Sequence, residues 1–173
     1  MVKTENLNLI PCELMHIETF LRNKKELETV LQVSVPDSWP IFPELFQYWY
    51  EPLKLDSSLI GWTMWLVLHP KDRTLIGEGG FEGKPDTAGN VKIGYAIIPE
   101  YRRRGFASEV AQNLIDWAFL HPEVTAVLAE ALPDDYGSIN VLKKVGMKLT
   151  VTTDKVLRWR LTRKDYQNID NIA

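Results

Sequence analysis

Cysteine is almost missing from this sequence: Cys12 is the one thiol in 173 residues. An intrachain disulfide framework and a cysteine-rich metal site are therefore both excluded. Histidine is scarce as well, and His16, His69 and His121 lie far apart, outside any metal-ligand spacing. No metal is expected. Long apolar runs are missing too, since the nearly apolar stretch from Leu59 to Leu68 is too short to cross a bilayer as a helix. Lys3, Glu5, Glu13 and Glu18 interrupt the region where the apolar segment of a signal peptide would sit. Positive charge is not in excess: 20 Lys and Arg stand against 23 Asp and Glu, a formal charge of -3. That balance gives no support to a nucleic-acid binder, which usually carries a basic face. No repeat, low-complexity tract or Pro/Gly/Ser-rich linker divides the chain. These absences leave a soluble cytoplasmic protein, away from membrane and nucleic acid, in one domain over residues 1–173.

What is present suits a packed core. Apolar residues make up 45% of the chain and charged residues 25%, ordinary values for a globular domain. Leu7 and Leu9 alternate with polar residues in a short strand ending at Pro11. Leu14, Ile17, Leu21, Leu27 and Leu31 recur at helical spacing, as one or two amphipathic segments. Val35 to Pro43 holds three prolines and reads as a loop. A helix opens at Pro43, where a missing amide costs nothing, and is expected to end by Pro52. Strands follow from Trp62 to His69 and from Thr74 to Glu82, around a turn at Pro70–Arg73. Past a loop at Lys84–Asn90, Val91, Ile93, Tyr95 and Ile97 line one face of a third strand.

The period then changes from two to nearly four. Ala107, Val110, Ala111, Leu114, Trp117 and Ala118 form the apolar stripe of a helix. Val124 to Ala131 is another strand, and Ser138 to Val145 a short helix closed by Gly146. A hairpin of Met147–Val151 and Val156–Leu161 around Thr153-Asp154-Lys155 closes the reading. The strand-helix-strand unit from Val91 to Ala131 predicts an α/β layered domain.

The informative segment runs from Ile93 through Tyr101-Arg102-Arg103-Arg104-Gly105-Phe106-Ala107-Ser108-Glu109. It is a buried strand, a tight basic turn and a helix start. The first amides of a helix lack intrahelical partners, and the dipole concentrates positive potential there. Such a turn surrounds a phosphate readily. Gly105 and Ala107 keep bulk away from the backbone, and Arg102, Arg103 and Arg104 add charge. A solvated basic turn is the plainer reading of the cluster alone; the flanking strand and helix favour anion binding.

Arg102-x-x-Gly105-x-Ala107 resembles the Q/R-x-x-G-x-G/A signature of GNAT acyltransferases. Asp135-x-x-Ser138 and Leu142-x-x-x-Gly146-Met147 resemble the N-x-x-S and L-x-x-x-G-F elements of the branch containing ribosomal-protein N-terminal acetyltransferases. The resemblance implies the GNAT fold, a mixed central sheet with two splayed parallel strands and flanking helices. It implies acetyl-CoA as co-substrate and an amine acceptor as the other partner; a homodimer is compatible with it. Backbone groups at Ile97 and Ile98 would meet the pantetheine arm, with Asp135 nearby. Amides from Arg103 through Gly105, Phe106, Ala107 and Ser108 would hold the pyrophosphate. The implied reaction is direct attack by a neutral amine on the thioester.

The sequence departs from the family where many members carry a tyrosine that protonates the leaving thiolate: this chain has Leu142. Ser138 becomes the candidate acid, with helix capping as its other reading. Asp135 replaces the usual asparagine and has a turn-capping alternative. Glu78, Glu82 and Glu130 are the candidate bases, each also readable as an exposed strand residue or an arginine partner. Glu130 is preferred because its strand forms the splayed pair. Tyr95, Trp39, Trp49, Trp62 and Trp65 read first as core. The altered motif residues also admit an acyl-CoA-binding sensor with little turnover. A nucleotide-phosphate binder of another fold is disfavoured, because G-x-G-x-x-G and G-x-x-x-x-G-K-[ST] are both lacking.

Overall fold

In the computed structural model, which describes residues 1–170, alternation and helical periodicity resolve into elements close to those expected. Strands β1 (Val2–Lys3) and β2 (Asn8–Pro11) precede helices α1 (Leu14–Arg22) and α2 (Glu26–Leu31). The amphipathic stretch is thus two helices, separated where Asn23 turns extended at φ -161° and ψ 108°. Next come α3 (Glu44–Leu55), β3 (Met64–His69), β4 (Thr74–Phe81) and β5 (Asn90–Ile97). α4 (Phe106–Phe119) and β6 (Ala126–Ala131) complete the strand-helix-strand unit. α5 (Tyr136–Lys144), β7 (Lys148–Thr152), β8 (Leu157–Thr162) and α6 (Arg163–Asp170) follow. β1 and α6 have no counterpart in the sequence reading. β1 is two residues long, and Arg163 to Asn168 is too polar to show an apolar stripe.

One boundary is corrected. The helix expected to end by Pro52 runs through it to Leu55. Proline removes one N–H from the ladder, but the Asp56 amide still reaches the Pro52 carbonyl at 2.9 Å. The added turn buries Leu53, and that burial offsets the missing bond.

The strands form one sheet in the order β1-β2-β3-β4-β5-β6-β8-β7. Every neighbouring pair is antiparallel except β5 and β6. Their parallel register covers Asn90↔Ala126, Val91↔Val127 and Lys92↔Leu128 and then stops, although both strands continue. The pair therefore splays beyond Lys92, as the resemblance implies.

α4 covers one face of the sheet. A Cβ at Gly79 would meet Val110 and Leu114 of that helix, and Trp117 packs against Trp62, Trp65 and Phe81 with ring centroids 4.7, 5.4 and 5.2 Å away. On the other side Phe20 stacks on Phe46, Trp39 meets both rings edge-on, and the Trp39 indole donates to the Gly77 carbonyl at 3.2 Å. The four tryptophans read as core are buried, with Trp49 also reaching a cavity described below. Among the described residues no helix is long and apolar enough to cross a membrane.

Candidate active site

At the turn before α4 the backbone visits the left-handed region twice, at Arg103 (φ 60°) and at Gly105 (φ 85°), which is the N-cap. Glycine takes that conformation without a Cβ penalty. A Cβ at position 105 would meet no atom within 4 Å, so the space in front of the helix is open. The first intrahelical bond runs from the Glu109 amide to the Gly105 carbonyl at 3.1 Å. The amides of Phe106, Ala107 and Ser108 consequently have no acceptor inside the helix. Arg102, Arg103 and Arg104 are exposed around them. Arg102 Nε donates to the Ile97 carbonyl at 2.8 Å, and Arg104 donates to the Glu100 carbonyl while lying over the Tyr101 ring.

The two strand residues expected at the cofactor arm differ in what their backbones do. The Ile98 amide donates to the Ile76 carbonyl at 2.9 Å and so faces β4. Alternation along the strand turns the Ile97 N–H and C=O the other way, into the split between β5 and β6. Ile97 thus lines the split with its backbone, whereas Ile98 is tied into the sheet.

At the start of α5, Asp135 is the N-cap. One carboxylate oxygen accepts from the Ser138 amide at 3.0 Å and the other from the Ser138 hydroxyl at 2.7 Å. These two bonds, the amide's first, hold the Asp135 carboxyl below its ordinary range. Both oxygens are engaged within the turn, the capping arrangement both residues favour. Leu142, at the family's tyrosine position, is buried.

The three candidate bases separate clearly. Glu130 is exposed and bridged by Lys92 at 2.8 Å and Arg158 at 3.0 Å, and the Lys92 bond leads in lowering its pKa. It borders a different hollow, beside Lys92, Arg158 and Arg160. A carboxylate held between two cations is a poor proton acceptor. Glu82 is exposed and paired with Lys92 at 3.0 Å. Glu78 alone is buried, at 2% exposure. Its Oε1 accepts from the amides of Ile41 and Phe42 at 2.7 and 2.8 Å, while Oε2 has no hydrogen-bond partner. Burial pushes the Glu78 carboxyl up to about 7, against the opposing effect of those amides and of the nearby Trp39 indole, whose N–H is directed to the Gly77 carbonyl.

Glu78 borders a cavity of about 430 Å³ that also meets Thr63, Gly94 and Tyr95. Four buried side-chain polar atoms lack a partner among the described residues, and three of them, Thr63 Oγ1, Glu78 Oε2 and Tyr95 OH, belong to residues lining this cavity. Tyr95 stands opposite Gly79, so its ring shares the face covered by α4. Burial and the nearby Asp135 carboxylate keep its hydroxyl protonated far above neutrality. Sequence reasoning ranked Tyr95 as core and Glu78 below Glu130. The prolines that bring Ile41 and Phe42 back over β4 were visible, but the strand on which that loop closes was not.

The description "Acetyltransferase (GNAT) domain" matches residues 6–148. An uncharacterized N-acetyltransferase of Bacillus subtilis, YjdG, is 27% identical over 161 residues, covering 92% of this chain and 96% of that protein. Among solved structures, a ribosomal-protein-S5-alanine acetyltransferase from Vibrio fischeri matches with TM-score 0.64 and 15% identity, covering 95% and 97% of the two chains. A spermidine N-acetyltransferase from Vibrio cholerae matches with TM-score 0.67 and 16% identity over 96% and 99%. The likeness of fold thus extends to the ribosomal-protein branch whose motifs Asp135-x-x-Ser138 and Leu142-x-x-x-Gly146 resemble. The splayed β5–β6 pair, the open helix start at Gly105 and its free amides fit coenzyme A. With that geometry and a match over most of its length, the chain belongs to the GNAT family and is an acetyl-CoA-dependent N-acetyltransferase.

Proposed function

We propose that this enzyme acetylates a primary amine by direct attack in a ternary complex, without a covalent intermediate, as one cytoplasmic domain spanning the chain. The observation that carries this reading is Glu78: a buried carboxyl with one unbonded oxygen and a pKa near neutrality, bordering a cavity that reaches Gly94 and Tyr95 of β5. A general base works best when its pKa lies near the working pH. Glu78 therefore takes the proton that the amine must lose, and replaces Glu130 in that role.

Acetyl-CoA supplies the activated thioester carbonyl. The amides of Phe106, Ala107 and Ser108, with Gly105 and the guanidinium groups of Arg102, Arg103 and Arg104, hold its phosphates. The Ile97 N–H, open to the split while the Ile97 carbonyl accepts from Arg102, lies along the pantetheine arm; Ile98 contributes by fixing that strand to β4. Asp135 acts by capping α5. The departing thiolate requires a proton, and two hydroxyls compete to give it. Ser138 already donates to Asp135, whereas the Tyr95 hydroxyl is buried and unpartnered at the level of the split, which favours Tyr95.

Tyr95→Phe is expected to lower kcat about 10- to 100-fold, below the usual range for a general acid because a thiolate already leaves well. Ser138→Ala is expected to lower stability by about 0.5–2 kcal/mol and leave turnover per folded molecule close to normal. Steady-state kinetics and a melting curve on each variant separate the roles; the reverse pattern returns the acid to Ser138.

Thermal melts and thiol release test the whole reading. Acetyl-CoA should raise the melting temperature by mass action, far more than NAD does, and adding primary amines should release thiol. A shift without release under any amine or peptide would make the protein a sensor of acyl-CoA. No shift at millimolar acetyl-CoA would remove the cofactor from the proposal.

A further inference from the structure

We infer that the acceptor is a primary monoamine carried on an aromatic or branched apolar body, with its amine at Glu78 and its body along Phe42, Leu45 and Tyr48. The inference rests on the acetyltransferase reading above and concerns which amine the cavity selects. At about 430 Å³ the cavity falls within the range of small-molecule sites, and most of its wall is apolar. Phe42 and Tyr48 are large hydrophobic side chains left 43% and 65% exposed, although each lines it. Aromatic surface beside a cavity gains by covering itself with an apolar partner.

The charges are as selective as the walls. Among the described residues no Lys, Arg or His lines the cavity. An amine that carries a carboxylate or phosphate would therefore enter without a counter-ion, a costly desolvation. Of the three carboxylates at the wall, Glu82 is compensated by Lys92 at 3.0 Å and Glu44 stands exposed in the first turn of α3. The interior offers one anionic station, and there one oxygen, Oε2 of Glu78, remains unbonded. One station pairs with one ammonium group. The further charges of a polyamine would meet only Glu44 and Glu82, both exposed at the rim and the second already paired with Lys92, where water screens the attraction. A peptide would bring backbone amides for which the wall supplies few partners.

The experiment compares phenethylamine, isopentylamine, ethylamine, spermidine and a short peptide with a free N-terminus, each with acetyl-CoA. Thiol release gives kcat/KM, and calorimetric titration of each amine into the CoA-bound enzyme gives affinity independently of turnover. Phenethylamine and isopentylamine are expected to exceed ethylamine and spermidine at least tenfold in both measurements, from burial of the apolar body. In Tyr48→Ser the ratio of phenethylamine to ethylamine should fall several-fold. Preference for spermidine or for the peptide, or an unchanged ratio in Tyr48→Ser, would overturn the inference. Should no amine release thiol, the transferase reading falls, and the titration alone then decides: tighter phenethylamine supports the recognition argued here, and equal or weaker binding ends it.

Discussion

Glu78→Gln is expected to lower kcat by about 10²–10⁴-fold while the protein folds normally. The amide keeps an oxygen for the Ile41 and Phe42 N–H groups, which approach Oε1 at 2.7 and 2.8 Å, and it changes the volume very little. It loses only the ability to take a proton. In the wild type kcat/KM should rise with pH through about 7, where Glu78 ionises, and the variant should lack that rise. Stability supplies an independent check. In the folded protein the Glu78 carboxyl keeps its proton to about pH 7, whereas in the unfolded chain it loses it near 4.5. Its stabilising share is therefore full below about pH 4.5 and is lost as pH rises through 7, at up to about 1.4 kcal/mol per pH unit. Glu78→Gln should remove that decline and be at least as stable as wild type at pH 8. Melts of both proteins from pH 5 to 8, beside the pH–rate profiles, measure this. An active variant with an unchanged profile would reject Glu78 as the base.

Gly105→Glu is expected to weaken acetyl-CoA binding on the order of 10²-fold. A carboxylate placed about 5 Å from a phosphate, at an effective dielectric constant of about 20, opposes it by about 3 kcal/mol. That repulsion corresponds to roughly two powers of ten in affinity. Position 105 is exposed and open, so the new side chain meets no protein atom near its Cβ. It does sit at φ 85°, where any side chain costs roughly 1–2 kcal/mol of backbone strain. Gly105→Ala carries that strain without the charge and separates the two effects. Calorimetry of acetyl-CoA against wild type and both variants is the measurement. Equal affinity in Gly105→Glu and Gly105→Ala would show that the phosphates lie elsewhere.

Local pattern was enough for the elements near the cofactor. Apolar residues marked β3 to β6 within about two residues, because β3 and β4 are buried at nearly every position while β5 and β6 keep some residues exposed or half-buried. The Arg102–Ala107 turn was legible for a similar reason: its function lies in backbone geometry, and only certain residues permit that geometry. Asp135 and Ser138 spelled out a capping arrangement three residues apart, which needs no distant partner. The splayed pair could be named only because the family resemblance implied it for the strands on either side of α4.

The chemistry at the acceptor side was decided by contacts between residues far apart in the chain. Glu78 and Glu130 look alike as carboxylates on strands. What distinguishes them is that the Ile41–Phe42 loop closes over one, while Lys92 and Arg158 from neighbouring strands clasp the other. Desolvation raises a carboxyl pKa and paired cations lower it, so the same side chain is pushed up to about 7 in one place and held below its ordinary range as a surface ion pair in the other. Glu109 makes the same point, for it lay on the polar face of the predicted helix yet binds Thr4 and Asn6 and pins the N-terminal segment to α4. The sequence by itself determined the layered α/β fold and the left-handed turn at Arg102–Ala107, since both follow from the backbone preferences of neighbouring residues. Only the tertiary structure decided which carboxyl is buried and which hydroxyl is left unpartnered, because burial and charge pairing depend on what the rest of the chain brings alongside.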